Sequence, residues 1–541
     1  MLPENSLILL NHSANFYEFF VINEHKKEKF NTDNMRTCIF NLEQLKKNYK
    51  RKKQCITVFT HNLSLFWDYL QSIQGISFKY KKFEHKHKIF SLKISFKKTN
   101  NVLLKDFNNF IQLDSNKEYD SSYKFSLLLI LFFKMKTEFD INISKSRILS
   151  LSGLSLKIFK TICPNQYKMI STRIKQKQDA FIRRSFFGGR NEIYIPISEH
   201  SYYYDINSLY PYIMANNEFP VGLPIEANIS ENFDLNNFYG FINVIVKVDK
   251  NETMPVLPMK VILGNSADKN IVYGTGEISG VFFSEELKLA VQQGAIIVKI
   301  LEAYKFEKGQ NIFKDFIQKI YSLRILEPNK NLKKTYKLIM NSLYGRITAI
   351  FENNKVINLD KEIIIKKKKY FNIAIGSAIT SLARIYVYNY VKPYYKNLLY
   401  WDTDGIFTNV KLPENIITQS QSEDSLGKFR LISENLLTIF GSTKFYLYTI
   451  KGTKKKIYIF TTIKLSDYYF DPEQIEIDFI KSIADNSNSY SQEIEITLQL
   501  KAKSNNPKDN IQFREFHNKR KIISTDRIFT IPWHLISTRH E

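Results

Sequence analysis

Short apolar runs alternate with amphipathic ones over residues 1–180. Residues 6–10 (SLILL) and 56–60 (ITVFT) are compact apolar runs of strand length. Residues 66–73 and 123–135 repeat apolar positions at helical spacing, so this region reads as an α/β domain. A basic segment with a glycine pair follows, FIRRSFFGGRNE at 181–192. Residues 200–214 then read as a strand turning into a short helix, and 226–300 as β-rich, with 240–248 (GFINVIVKV) the clearest strand. From Asn311 to Gly345 the pattern is helical and breaks near Pro328. A lysine run at 366–369 precedes a helix over 373–391. Leu398–Tyr400 and Ile406–Phe407 read as the strands of a tight hairpin around WDTDG. From about 470 the pattern is mixed and basic. There is no internal repeat and no long Gly/Pro/Ser linker.

The longest clean apolar run is FSLLLILFF at 125–133, well short of the roughly 20 residues that cross a bilayer. It predicts a buried helix, and no membrane span is expected. Composition places the 541 residues among globular chains, with 44% hydrophobic and 24% charged residues. The formal net charge of +25 calls for a polyanionic partner, nucleic acid or an anionic membrane surface. The scattered lysines and 32 tyrosines suit phosphates and bases better than lipid. Cys38, Cys55 and Cys163 form no CxxC pair, which predicts neither a disulfide framework nor a zinc site. His85 and His87 read as part of a solvated face. The start, MLPENSLILL, carries no cationic signal region and no Arg/Ser-rich presequence.

Asp402 and Asp404 stand one residue apart in an apolar, aromatic hairpin, where their repulsion costs stability. A lone DxD reads as an exposed turn. Asp205 changes this, because it ends the strand-like 202–204 and opens 205–211 (DINSLYP), whose successive amides at a turn suit phosphate. Three acids brought together would hold two divalent cations, the arrangement for phosphoryl transfer. On a helix, Lys337, Asn341 and Tyr344 share one face, a cation, an amide and a ring fit for a nucleoside triphosphate. Lys333 joins that face, and Arg324 lies on the preceding helix. Alone, that helix reads as an amphipathic core helix with a snorkelling lysine. With the acids it reads as a nucleotide site.

These segments resemble the three core motifs of family B DNA polymerases, D-x-x-S-L-Y-P, K-x-x-x-N-S-x-Y-G and Y-x-D-T-D-S. They stand here as Asp205 to Pro211, Lys337 to Gly345 and Tyr400 to Gly405. Only Gly405 departs, where the family has serine. KFY at 444–446 resembles the K-x-Y motif, and FFGG at 186–189 resembles Y-x-G-G with Phe186 in the tyrosine position. FKDFI at 313–317 and the short length look most like the protein-primed subgroup of phages, adenoviruses and linear plasmids.

The resemblance implies a right-hand polymerase, α/β in class (α+β multidomain), behind a ribonuclease-H-like exonuclease-type domain. Its layout would be 1–180 exonuclease-like, 181–225 first part of the palm, and 226–311 an insertion placed for contact with a priming protein. Then follow 312–349 fingers, 350–372 a short insertion, 373–470 second part of the palm, and 471–541 thumb. It implies Asp205, Asp404 and the carbonyl of Ile206 as ligands of two Mg²⁺, with Mn²⁺ the alternative, and Asp402 beside them. Ser208, Leu209, Tyr210, Arg324, Lys333, Lys337, Asn341 and Tyr344 would meet the nucleotide, Tyr210 selecting against a 2′-hydroxyl. Phe186, Gly188, Gly189, Lys444 and Tyr446 would meet DNA. The partners implied are template and primer DNA, deoxynucleoside triphosphates and a terminal protein. Residues with A/T-rich codons and the missing import signal suit a mitochondrial, organelle- or plasmid-encoded protein, or else a cytoplasmic plasmid or virus.

The exonuclease acids of the family are missing at the matching positions. Asn11 and Ser13 fill the first pair, Trp67 the second slot beside Asp68, and Tyr123 the third. Without hard anionic ligands no proofreading is expected, unless the spare Asp33, Asp68 or Asp120 serve. Two other classes remain: a reverse transcriptase, and a catalytically inactive nucleic-acid-binding descendant of a polymerase. Replacing Gly405 by serine is expected to leave activity equal or raised.

Overall fold

The computed structural model describes residues 7–13, 16–22, 27–32, 56–60, 63, 68, 79–85, 88–97, 100–106, 109–111, 121–143, 148–171, 174–229, 233–262, 269–348, 354–358, 361–365, 372–417, 425–453, 455–460, 468–469, 472–487, 494–502, 511–517, 519–524, 528–532 and 534–535. The chain divides into two compact units. One comprises Met1–Arg173 with Phe313–Asn372, the other Ile174–Ile312 with Ile373–Glu541. Trp67, Asp33, Asp120, Cys38, Cys55, the lysine run 366–369 and most of 66–73 lie outside the described residues, as do the side chains of Asn11, Ser13, His85 and His87.

The first unit carries a nine-stranded sheet. Its order is Lys361–Ile365, Asn354–Asn358, Lys79–His85, Lys88–Lys97, Asn100–Asp106, Ile56–Thr60, Leu7–Ser13, Phe16–Ile22, Lys27–Thr32. Ile56–Thr60 runs parallel to both neighbours, and the outer pairs are antiparallel. Val58, Phe59, Leu92, Ile94 and Leu104 are fully buried. The apolar run at 125–133 lies in the helix Ser121–Phe139, which buries Leu127, Leu128, Leu131 and Met135 on one stripe. Phe132 reaches Phe59, their ring centroids 5.2 Å apart. Phe133 on the other side is 69% exposed, so the run is a one-sided helix rather than a wholly buried one.

The helical stretch from Asn311 forms two helices, Lys314–Leu326 and Lys330–Thr348. The break falls at Pro328, where a helix would lose a backbone donor. The second helix restarts on Asn329, whose Oδ1 accepts from the amides of Asn331 (3.0 Å) and Leu332 (3.2 Å). Both helices are tied to the rest of this unit. Ser155 Oγ donates to the Ile339 carbonyl at 2.7 Å, and Phe159 packs on Phe313 and Phe316. Lys134 pairs with the buried Glu327 carboxylate, and Tyr123 Oη accepts from Asn331 Nδ2 at 3.2 Å.

The second unit is built on an antiparallel eight-stranded sheet. Seven strands follow in the order Lys456–Phe460, Phe445–Ile450, Phe429–Ser442, Ser201–Ile206, Gly405–Thr408, Leu398–Asp402, Asn191–Ile193, and Ile197–Ser198 pairs with Phe429–Ser442. A second, five-stranded sheet contains Gly240–Val248, Thr275–Phe283 and Ile296–Gly309. The helix Ile373–Val391 is buried almost all round. Its single charged residue, Arg384, pairs with Glu286 at 2.7 Å, and both are buried. The basic tail also folds back: Arg520 donates to Thr530 Oγ1 at 2.8 Å, and Thr530 Oγ1 donates to the Ile193 carbonyl at 2.5 Å. Among the described residues no helix is long and apolar enough to cross a membrane.

Candidate active site

Asp402 pairs with Gly405 at the end of the hairpin, so Thr403 and Asp404 are its two turn residues. The two acids therefore differ in place, Asp402 ending a strand and Asp404 lying in the turn. Thr403 has φ 59°, a region that a β-branched residue rarely enters. Two hydrogen bonds hold it there. Thr403 N donates to the Arg190 carbonyl at 2.8 Å, and Trp401 Nε1 donates to the Thr403 carbonyl at 3.1 Å. Ser208 (φ 51°) and Lys444 (φ 66°) are also left-handed. Three of the five described non-glycine residues with positive φ thus fall in the segments singled out from sequence, the kind of clustering that strained functional turns show.

The strand Ser201–Ile206 lies directly beside this hairpin. Asp205 is opposite Gly405, and Ile206 N donates to the Asp404 carbonyl at 2.8 Å. Asp205 and Asp404 thereby stand at the same end of the sheet on adjacent segments. The chain then turns through Ser208 into the helix Leu209–Asn216. The amides of Ile206 and Asn207 are taken by the carbonyls of Asp404 and Lys428. The expected phosphate cradle over 205–211 is thus shortened to the helix start, around Ser208, Leu209 and Tyr210. Ser208 and Leu209 are themselves buried. Burial pushes the Tyr210 phenol up to about 12, with Arg384 opposing and Asp404 adding to the shift.

Asp402 is engaged by neighbours. Lys444 Nζ forms an ion pair with Oδ1, and Asn191 Nδ2, with its amide turned to donate, reaches the same oxygen at 2.6 Å. Lys444 N donates to Tyr400 Oη at 3.0 Å. Under the acids lies an aromatic floor of Tyr203, Tyr400, Phe407, Phe440, Tyr446 and Tyr448. Tyr446, expected to grip DNA, is only 5% exposed and belongs to this floor, because Phe407, Phe440 and Tyr400 pack around its ring. Burial pushes the phenols of Tyr203, Tyr400 and Tyr446 up, and the charge of Asp402 adds to each shift.

Gly189 packs under the Thr403 turn, whereas Gly188 is open to solvent. The backbone of this segment is fixed by two cations. Lys260 Nζ donates to the Phe186 carbonyl at 2.9 Å, and Arg384 Nη1 to those of Phe187 (3.0 Å) and Gly188 (2.8 Å). Sequence reasoning passed over Arg384, although a lone charge within an apolar helix was a visible signal. It also passed over Lys519, which stands in the field of Asp402 and Glu192 and whose amine burial pushes down. Nothing local in the tail marks that residue.

In the other unit, the helix Lys330–Thr348 buries Tyr336, Ile339, Met340, Leu343 and Ile347. Lys333, Lys337, Asn341 and Tyr344 are half-buried on its other side. Arg324, expected to reach a triphosphate, is only 2% exposed.

Residues 10–430 match the family described as DNA polymerase type B, organellar and viral. The chain belongs to that family. A probable DNA polymerase of Ascobolus immersus is 27% identical over 421 residues, 71% of this chain and 33% of the relative. One of Neurospora intermedia is 29% identical over 294 residues, 48% of this chain and 30% of the relative. The DNA polymerase of Bacillus phage Nf is 25% identical over 283 residues, 48% of this chain and 49% of that one. The matched part of the chain thus spans about a third of the fungal relatives. Phi29 DNA polymerase, solved with primer-template DNA and incoming nucleotide substrates, superposes with a TM-score of 0.68 at 16% identity. The match covers 96% of this chain and all of that one. The fold is that of a right-hand type B polymerase with an exonuclease-type domain.

For a type B polymerase the donor set suits a hard divalent cation. Among the described residues no three His, Cys, Asp or Glu side chains converge as a metal cage. Mg²⁺ seldom needs one, since one or two carboxylates plus substrate phosphates and water complete its shell. Asp205 and Asp404, with the Ile206 carbonyl, would be the groups to supply such a partial shell. Asp402, across Gly405 from Asp205, is paired with Lys444.

Proposed function

We propose that the chain is a DNA-directed DNA polymerase that extends a 3′ hydroxyl with deoxynucleotides. The 3′ oxygen attacks the α-phosphorus of the incoming triphosphate, and the bond to the departing pyrophosphate breaks. The observation that carries this reading is the Ile206–Asp404 backbone hydrogen bond, which sets the segments of Asp205 and Asp404 side by side at one end of the sheet. Two Mg²⁺ or Mn²⁺ ions, when bound, would neutralise phosphate charge and acidify the attacking hydroxyl.

Asp205, the Ile206 carbonyl and Asp404 would hold those ions. Asp402 holds Lys444, which with Phe186 and Gly188 would face DNA in this reading, while Gly189 and Tyr446 would support them from below. Tyr210 would lie under the sugar. Lys337 and Lys333 would take the triphosphate, Arg324 backing them from within the fold, and Asn341 and Tyr344 would shape the base-pair pocket. In the corresponding layout, 181–225 and 373–470 are palm, 312–349 fingers and 471–541 thumb, with insertions at 226–311 and 350–372.

The chain is read further as protein-primed, resident in mitochondria or on a plasmid, and without proofreading in residues 1–180. Primer extension with and without Mg²⁺ tests the activity. Mg²⁺-dependent addition of deoxynucleotides that is lost in Asp404→Asn, with DNA binding kept, supports it. DNA binding without extension would point to an inactive descendant, and extension on RNA templates only to a reverse transcriptase. Excision of a mismatched 3′ end without nucleotides would overturn the exonuclease reading.

A further inference from the structure

Gly405 stands directly between two acids. On one side it is paired with Asp205, on the other with Asp402. Opposed residues across antiparallel strands project to the same face with Cβ atoms about 5 Å apart. The side-chain position at 405 therefore lies in the gap between two carboxylates. That position is filled from elsewhere. Tyr203, two residues before Asp205 and on its face, lays its ring over the glycine. A Cβ on Gly405 would meet Tyr203 Cε2 at 3.2 Å and Oη at 3.4 Å. The ring is held from below by Phe407, stacked at 4.3 Å and 2°.

We propose that Tyr203 is a positioning residue of the active centre, its hydroxyl set between Asp205 and Asp402 in the space that Gly405 leaves open. A phenol at neutral pH has one O–H to donate. Placed there, it offsets the repulsion of the acids and fixes the orientation in which Asp205 meets a divalent cation. The glycine and the tyrosine act as one unit: a side chain at 405 displaces the hydroxyl, and the stack on Phe407 limits where the ring can go. Glycine in the DTDG turn is thus explained by what covers it. The proposal deepens the polymerase reading and rests on it for the role of Asp205.

The test uses the full chain as wild type, Tyr203→Phe, Tyr203→Val, Gly405→Ser and the double variant Tyr203→Val/Gly405→Ser. Three readouts are taken: thermal melting, Mn²⁺ binding from the electron paramagnetic resonance of free Mn²⁺, and primer extension. Tyr203→Phe keeps the melting temperature of the wild type. It weakens Mn²⁺ binding and lowers kcat by about tenfold, the scale of one hydrogen bond to a charged group, with little change in nucleotide KM. Gly405→Ser shows a comparable loss. The double variant recovers most of what Tyr203→Val loses, because the serine hydroxyl returns to the vacated gap.

Wild-type Mn²⁺ binding and kcat in Tyr203→Phe would overturn the proposal, as would a double variant no better than Tyr203→Val. No Mn²⁺ binding by the wild type would also overturn it. Mn²⁺ binding that depends on Tyr203 without any primer extension would uphold the proposal and sink the polymerase reading. Extension indifferent to every Tyr203 variant would do the reverse.

Discussion

Gly189 lies so close to Thr403 that a Cβ on the glycine would fall 2.5 Å from both Thr403 Cγ2 and Oγ1. The next residue, Arg190, accepts the Thr403 amide at 2.8 Å. Segment 189–190 thus supports the strained turn that carries Asp404. Gly189→Ala is expected to push that turn away, with an overpacking cost on the order of 1–3 kcal/mol. Melting and primer-extension measurements check it. The expected result is a lowered melting temperature and a fall in kcat, with primer-template affinity little changed. An alanine variant that loses DNA affinity but keeps kcat would return Gly189 to a direct DNA contact.

Lys444 and Asp402 are one unit, and their variants should not add. Asp402→Asn removes the carboxylate that holds Lys444 Nζ, and Lys444→Gln removes the cation. Each single change is expected to lower primer-template affinity and kcat, by about tenfold. The double variant should be no worse than the more damaged single, because contacting partners share one interaction energy. Asp404→Asn, by contrast, should abolish extension. A binding and turnover cycle over the four proteins checks this, and full additivity would separate Lys444 from Asp402.

Much of this arrangement was legible because periodicity is local. The helix at 373–391 and the strand at 240–248 follow the apolar pattern residue for residue, and the helical stretch breaks at Pro328 as a missing amide dictates. What stayed hidden depends on registers between distant segments. Nothing near position 402 announces Lys444, 42 residues on, and nothing near 405 announces Tyr203, about 200 residues back, because the pairing of separate strands brings them together. The hairpin around WDTDG was legible from its flanking strands, but not which of its residues make the turn, since Asp402 still pairs with Gly405. Thr403 takes the left-handed position in that turn, where glycine or asparagine is the usual residue. By the motif alone, serine at 405 is expected to be neutral or better. A Cβ there would meet the Tyr203 ring at 3.2 Å, so the proposed role of Tyr203 gives Gly405→Ser the opposite sign from the motif, and the kcat of that variant decides between them.

Alkaline pH should destabilise the second unit. Burial raises the phenols of Tyr204 and Tyr210 to about 12, from the ordinary value of 10.0. A group raised in the folded state gives stability that is fully present below its unfolded value. That contribution shrinks as pH rises from about 10 to about 12, where the unfolded chain ionises and the folded one resists. Melting temperature against pH should be flat in this respect below 10 and fall above it. Tyr210→Phe should soften the fall. A steeper fall in that variant would show that the phenol is not the group titrating.

Lys337 and Arg324 should fail in different ways, because one is half-exposed and the other buried. Lys337 is half-buried and lies away from the core residues of its helix, so Lys337→Ala removes less packing than Arg324→Ala. The variant should melt with the wild type and raise the nucleotide KM by about ten- to a hundredfold, the worth of a charge-assisted contact to phosphate. Arg324 is 2% exposed at the end of the preceding helix. Arg324→Ala should lower the melting temperature by several degrees, since it empties space inside a packed unit. Any loss of nucleotide affinity in that variant should be matched by a loss of fold. Arg324→Ala with an unchanged melting temperature and a raised KM would mean that the guanidinium leaves its buried place to meet the triphosphate. That outcome would make the helix Lys314–Leu326 a moving part of the nucleotide site rather than its fixed support.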